Sequence, residues 1–361
     1  MKNYSAGLLL LLSFSLFAQK SVDLDKYRFA VQFRSLPTVR IDSAYRTYDI
    51  QVEATKLMNP LLSDMQPEKS VRLEGWKKLP EAGHITVMVK LGDLVPGDVS
   101  VKERVVTNKN GNGVITGTKT YYYQEVAYTF EAEAIVTDYK EMHIMDEQLA
   151  SRTYKRIYRS PEFTNRVIAA GYFLANSMAV TKELFRESVT SVMHRLSERL
   201  NQNFGYEPVT VNDMMWVIDS RKHPEYDDWR KAIRQINDVL FEMNAATPIT
   251  GAVDKVQPAI AYFEKIKNLY SSNSRHDRKI RYGCYYNLAV LYYYLDDPQS
   301  MMKEANGLEL NDFDARDAKG FKETATWLKR LFEQNNIYTR HFAIDTDTFI
   351  GPYEKAAISA K

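Results

Sequence analysis

The side chains of this chain that could do chemistry do not gather into a recognisable reactive set. Histidines stand at 84, 143, 194, 223, 276 and 341, and none is paired at the three- or four-residue spacing by which a zinc-hydrolase helix holds its metal. Glu141 and His143 fall on one side of an extended segment with Asp146 and Glu147 close behind, a grouping that a cation or a solvated turn would use equally well. Glu131 and Glu133 also share a side, as the two carboxylates of glycoside cleavage do, but such pairs are ordinary on an exposed sheet. The single cysteine, Cys284, sits in an apolar helical stretch without a histidine partner, and no Gly-x-Ser-x-Gly elbow occurs. Asn110-Gly-Asn-Gly113 lacks the lysine and helix that a phosphate loop needs and is expected to be a hairpin tip. These absences predict a chain that leans away from enzymatic activity, with no cofactor and no metal.

Charge supplies one candidate binding feature. Arg152, Lys155, Arg156, Arg159 and Arg166 crowd one stretch, and Arg152 with Arg156 on a strand would form a positive stripe for an acidic protein surface or an anionic glycan. The competing reading is a charged sheet edge that discourages strand-to-strand aggregation. The formal net charge of +2 is too small to draw the whole protein to nucleic acid.

The elements that must position these residues follow from pattern. Lys2 precedes an apolar run from Ala6 to Ala18, then polar Gln19-Lys20-Ser21, the order of a cleavable secretory signal and too short to span a bilayer as a permanent helix. Export to the periplasm or cell envelope is the expectation, without a lipid anchor because no cysteine follows the apolar core, and without an integral membrane segment after cleavage. With 45% apolar and 26% charged residues, the rest is a globular chain long enough for two cores.

From Tyr27 to Arg159, β-branched and aromatic residues alternate with period two, which predicts strands over 27–33, 48–54, 84–91, 101–107, 114–123 and 124–137, with 141–145 and 154–158 as the last. Ser160-Pro161-Glu162 has the residue types of a helix start. Helices are expected over 161–179, 181–203, 211–218, 226–243, 256–270, 279–295, 298–308 and 318–334. The fold class is therefore α+β: signal 1–18, a β-rich domain 19–159, a helical domain 160–340 and a C-terminal tail 341–361.

Tyr285-Tyr-Asn-Leu-Ala289 followed by Leu291-Tyr-Tyr-Tyr-Leu-Asp296 resembles the first helix of a tetratricopeptide repeat, a helix pair of about 34 residues. With Tyr282 at the first position, Tyr285, Leu288, Ala289 and Tyr292 fall where that family places its packing residues, and Met301, Ala305 and Leu308 face inward from the second helix. Ala259, Phe263 and Ile266 match the second helix of a preceding unit, so the likeness covers about 256–334. It departs from the family in having Phe313 where the closing proline is usual, and in an insertion around 271–278. The resemblance implies a concave face for a peptide or protein, lined by Gly283, Tyr286, Asn287, Val290, Tyr293 and Tyr294; the same tyrosines would also suit packing against a neighbouring element. The expected function is a noncatalytic envelope scaffold or adaptor holding a protein partner through this groove and a sheet edge. The alternative is a carbohydrate-binding or peptidoglycan-processing enzyme in which Tyr121 to Tyr123 stack on sugars. The long helical half weighs against an outer-membrane barrel.

Overall fold

The computed structural model describes residues 22–354, and the apolar leader expected over 1–18 lies outside them. In chain order the elements are β1 (Leu24–Arg34), β2 (Thr47–Ala54), α1 (Asn59–Leu62), β3 (Lys77–Lys78), β4 (Ile85–Leu91), β5 (Val95–Lys109), β6 (Ile115–Thr129), β7 (Ala132–Asp138), β8 (His143–Ala150) and β9 (Arg156–Arg159). They continue with α2 (Arg166–Phe204), β10 (Pro208–Ile218), α3 (Tyr226–Glu242), α4 (Ala252–Leu269), α5 (Arg275–Tyr294), α6 (Pro298–Leu310) and α7 (Ala315–Asn335). A β-rich first part and a helical last part make the protein α+β.

The chain does not divide at a single point near residue 160. It forms two compact units, one from the chain up to Phe33 together with Val209–Phe332, the other from Arg34–Pro208 together with the residues from Glu333 on. Strand β1 thus joins the helices, whereas α2 joins the sheets.

In the helical unit, β1 and β10 form a two-stranded ribbon. The segment 211–218, which the sequence suggests as helix, is part of β10 instead. Val209, Val211, Met215 and Val217 lie two or four apart, so in extended backbone they share one side, and Met215 and Val217 are buried. Phe29, Val31 and Phe33 of β1 join them in a core with Trp229, Ile233, Ile236 and Leu240 of α3, Val256 and Phe263 of α4, and Leu288 and Leu291 of α5. Helix α3 packs on α4, α4 on α5, and α5 on α6. Between α4 and α6 the Lys267 ammonium meets Glu304 at 2.7 Å and Glu264 at 2.9 Å, so two nearly buried charges compensate each other.

In the other unit a five-stranded sheet runs in the order β3-β2-β4-β7-β8, with β2 parallel to β3 and β4 and the remaining pairs antiparallel. Ile85, Val87, Val89, Ala134 and Val136 are completely buried in it, as the alternation requires. Gly83 precedes β4 where a Cβ would lie 2.6 Å from the Tyr48 backbone, so only glycine fits. The buried Asp49 carboxylate beside it accepts from the Gly83 N–H and the Thr86 hydroxyl, both at 2.8 Å. A second sheet has the order β5-β6-β9.

Helix α2 differs from expectation at both predicted boundaries. Ser160 does not begin it: the Ser160 hydroxyl accepts from the Gln124 N–H at 2.8 Å, and Phe163 exchanges backbone bonds with Tyr122, so the segment extends along β6. Asn165 is the cap, its Oδ1 accepting from Val167 N–H at 2.8 Å and Ile168 N–H at 3.4 Å. The break expected near residue 180 is instead a kink at Asn176 (φ −119°, ψ 15°) inside one 39-residue helix. At the kink the Asn176 side chain turns back on its own helix, Nδ2 donating to the Tyr172 carbonyl at 2.9 Å, and just before it Gln124 donates from Nε2 to the Ala170 carbonyl at 2.9 Å and accepts the Phe173 N–H on Oε1 at 2.8 Å.

Candidate functional site

The groove face of α5 is covered by the chain's own ribbon. Asn287 is fully buried, its Oδ1 accepting the Trp216 N–H at 2.7 Å and its Nδ2 donating to the Trp216 carbonyl at 2.8 Å, so this amide holds the β10 backbone. Val290 and Tyr294 are buried too, with the Tyr294 hydroxyl donating to Asp213 at 2.7 Å and its ring edge-on to Phe29 at 5.6 Å. Tyr293 packs edge-on against Phe33, and Tyr286 lies between Trp216 at 5.9 Å and Phe321 at 4.9 Å. Burial pushes the Tyr286 phenol up to about 12, with the Asp213 and Asp317 charges adding to it, so it stays protonated. A partner at Tyr286, Asn287, Val290, Tyr293 and Tyr294 would have to displace β1 and β10. These positions read as a groove because aromatics and an amide suit a peptide backbone, and the backbone they receive is intramolecular.

Arg152 and Arg156 do not form one stripe. A turn over 151–155 separates them, and only Arg156 lies in a strand, β9. Arg152 meets Glu131 at 3.0 Å, Lys155 meets Asp98 at 3.7 Å, and Arg159 meets Glu125 at 2.9 Å, so most of this cluster is locally neutralised. The acidic groupings are likewise engaged: His143 with Asp146 at 2.9 Å, Glu147 with Arg199 at 3.1 Å, and Glu133 with Lys90 at 3.7 Å.

Two surfaces of the sheet-containing unit stand open. Strands β5 and β6 are 15 residues each and pair antiparallel from Val95↔Thr129 to Lys109↔Ile115. Along β5 nearly every side chain is exposed, on both faces, including Val99 and Val105, as are Val114 and Ile115 beyond the tip. β5 is the outer strand of its sheet, and its far edge pairs with no strand among the described residues. On one side of the ribbon Tyr121 is flanked by Arg104 and Lys119 at 5.3 and 5.0 Å from its ring centre, Tyr123 by Arg159 at 5.7 Å, and Arg104 also forks onto Glu162 with two 2.6 Å bonds.

The other open surface is the first part of α2. Val167 to Val180 contains no charged residue, yet only one side of it is covered, by Ala169, Tyr172, Phe173, Asn176 and Val180. Val167, Leu174 and Met178 are 79%, 84% and 83% exposed. That charge-free run was a legible signal, since a helix apolar all round is normally buried all round.

Comparison with models of protein families and with curated proteins returns no match for this chain.

Proposed function

We propose that this protein is a noncatalytic scaffold or adaptor of the cell envelope that takes a protein partner on the open edge of β5. The observation that carries the reading is the bare β5–β6 ribbon. Strand β5, regular from Val99 to Asn108 and with no strand on its outer edge among the described residues, offers backbone donors and acceptors in register for an added strand, while exposed Val99 and Val105 give it side-chain contacts. The apolar run after Lys2 supports export to the periplasm or envelope.

The tetratricopeptide-like reading of α4 to α6 remains part of the proposal. Ala259, Phe263, Ile266, Leu288, Ala289, Met301, Ala305 and Leu308 are all buried, the burial that inward repeat positions need. The face of α5 that such arrays reserve for a ligand serves here to seat β10.

Replacing Val106–Lys119 by Asn-Gly, which joins the cross-strand partners Val105 and Thr120 through a two-residue turn, tests the reading. The shortened protein should keep its circular dichroism and thermal midpoint and lose the proteins that the intact chain captures from envelope extracts. Capture of the same proteins by both, or turnover of cell-wall glycan by the purified chain, overturns it. The glycan alternative rests on Tyr121 and Tyr123, and stacked cations already flank both rings, which weighs against a sugar there.

A further inference from the structure

The exposed side of the first part of α2 has the form of half a helix pair. Val167, Gly171 and Leu174 follow one another at intervals of four and three, the spacing that keeps a single seam facing a second helix, and Met178 stands exposed just beyond the kink at Asn176. No charge interrupts the run or lies at its flanks until Arg166 on one side and Lys182 on the other. With Ile168, also exposed, and the alanines alongside, the face offers on the order of 600 Å² per copy, so two copies would bury about 1,200 Å², the lower bound of an ordinary specific interface.

The seam is self-complementary about its midpoint. A two-fold axis between Gly171 and Leu174 runs two helices antiparallel, placing Leu174 of each copy over Gly171 of the other within the straight part of α2 that precedes the kink. A parallel pair would set Leu174 against Leu174, holding the helices apart where the facing glycines would let them close. A Cβ at Gly171 would meet nothing within 4 Å in its own chain, so nothing within the protomer requires the glycine, whereas close approach of another helix does. An anionic lipid surface fits less well, because Arg152, Lys155, Arg159 and Lys182 are each paired with a carboxylate.

We infer that this face is covered by a second copy of the chain in an antiparallel, two-fold-symmetric dimer, whichever partner the β5 edge takes. Sedimentation equilibrium of the full chain at concentrations up to about 100 µM tests it. The wild type should dimerise. Leu174→Glu and Gly171→Leu should each weaken association tenfold or more, while Gly171→Leu leaves the thermal midpoint unchanged or raised, since leucine favours helix over glycine. A wild type that stays monomeric overturns the inference, as does a dimer indifferent to both substitutions. A monomer that floats with phosphatidylglycerol vesicles, and ceases to on Leu174→Glu, also overturns it and assigns the face to a membrane surface.

Discussion

Two β-ribbons in this protein have opposite fates. The β1–β10 ribbon is buried against α3, α4 and α5, with Phe29, Val31, Met215 and Val217 in one core; the longer β5–β6 ribbon packs at its base, where Val126 and Tyr128 are buried, and then runs on through solvent with Val105 and Ile115 exposed. Both show period-two alternation, so alternation alone does not tell a covered strand from a bare one. What differs is the supply of apolar partners. Trp229, Phe263, Leu288 and Tyr294 stand ready for the first ribbon, whereas the start of α2 reaches the second through Gln124 and a few half-buried rings. A two-stranded ribbon without a packed face is marginal by itself. Here pairing of β6 with β9 and the buried Val126 and Tyr128 anchor the base of the ribbon, and cross-strand pairs carry the rest.

The sharpest way to break the contrast is to uncouple the covered ribbon from its helix. Asn287→Leu leaves the Trp216 N–H and carbonyl without their partner, and should cost about 3 kcal/mol in chemical denaturation, at one to several kcal/mol per buried group. An unchanged midpoint would mean that α5 does not hold the ribbon. Next in size, Gln124→Ala removes both bonds by which this side chain holds α2 just before its kink and should cost about 2 kcal/mol, with faster hydrogen exchange at Phe173 as the local readout.

A smaller effect separates the units by pH. The His223 ring stacks on His276 at 5.8 Å and on Tyr270 at 6.0 Å, and its Nδ1 accepts the Glu225 N–H. Burial, then the His276 charge, lowers the His223 pKa against the weaker upward pull of Glu225. The folded protein therefore favours the neutral ring, and the unfolded chain binds the proton first. Stability of the helical unit should be fully present above the unfolded value of about 6.5 and decline as pH falls through it. Thermal scans between pH 7.5 and 5 should show this slope, and His223→Gln should flatten it. The smallest expected effect belongs to the bare ribbon. Val105→Thr with Ile115→Thr should change stability by less than about 0.5 kcal/mol, because both positions are already solvated. A larger loss would show that the ribbon is packed in solution.

Strands β2 and β4, the Asn110 hairpin and helices α3 to α7 were legible because periodicity and turn residues agreed there. Segment 211–218 suggests a helix because its short apolar alternation carries a Trp and two Met that suit a helix as well, and only pairing with a strand nearly two hundred residues earlier decides the matter. The start of α2 was misplaced because Ser160-Pro161 has cap chemistry, but a backbone N–H of β6 claims the hydroxyl first. The candidate groove was legible as a backbone-binding face through Asn287 and its aromatics. That the backbone came from the same chain was invisible without the long-range pairing.

The distant origin of β1's partner has a kinetic consequence. As the polypeptide emerges, its first strand must wait for about 180 residues of intervening synthesis before β10 arrives, exposing Phe29, Val31 and Phe33 all that time. The five-stranded sheet, whose strands all lie between Thr47 and Ala150, can pair earlier, and its unit is completed when the residues from Glu333 on arrive. Refolding should accordingly be slow and biphasic, and an accessory holdase that shields the leading strand should raise the yield.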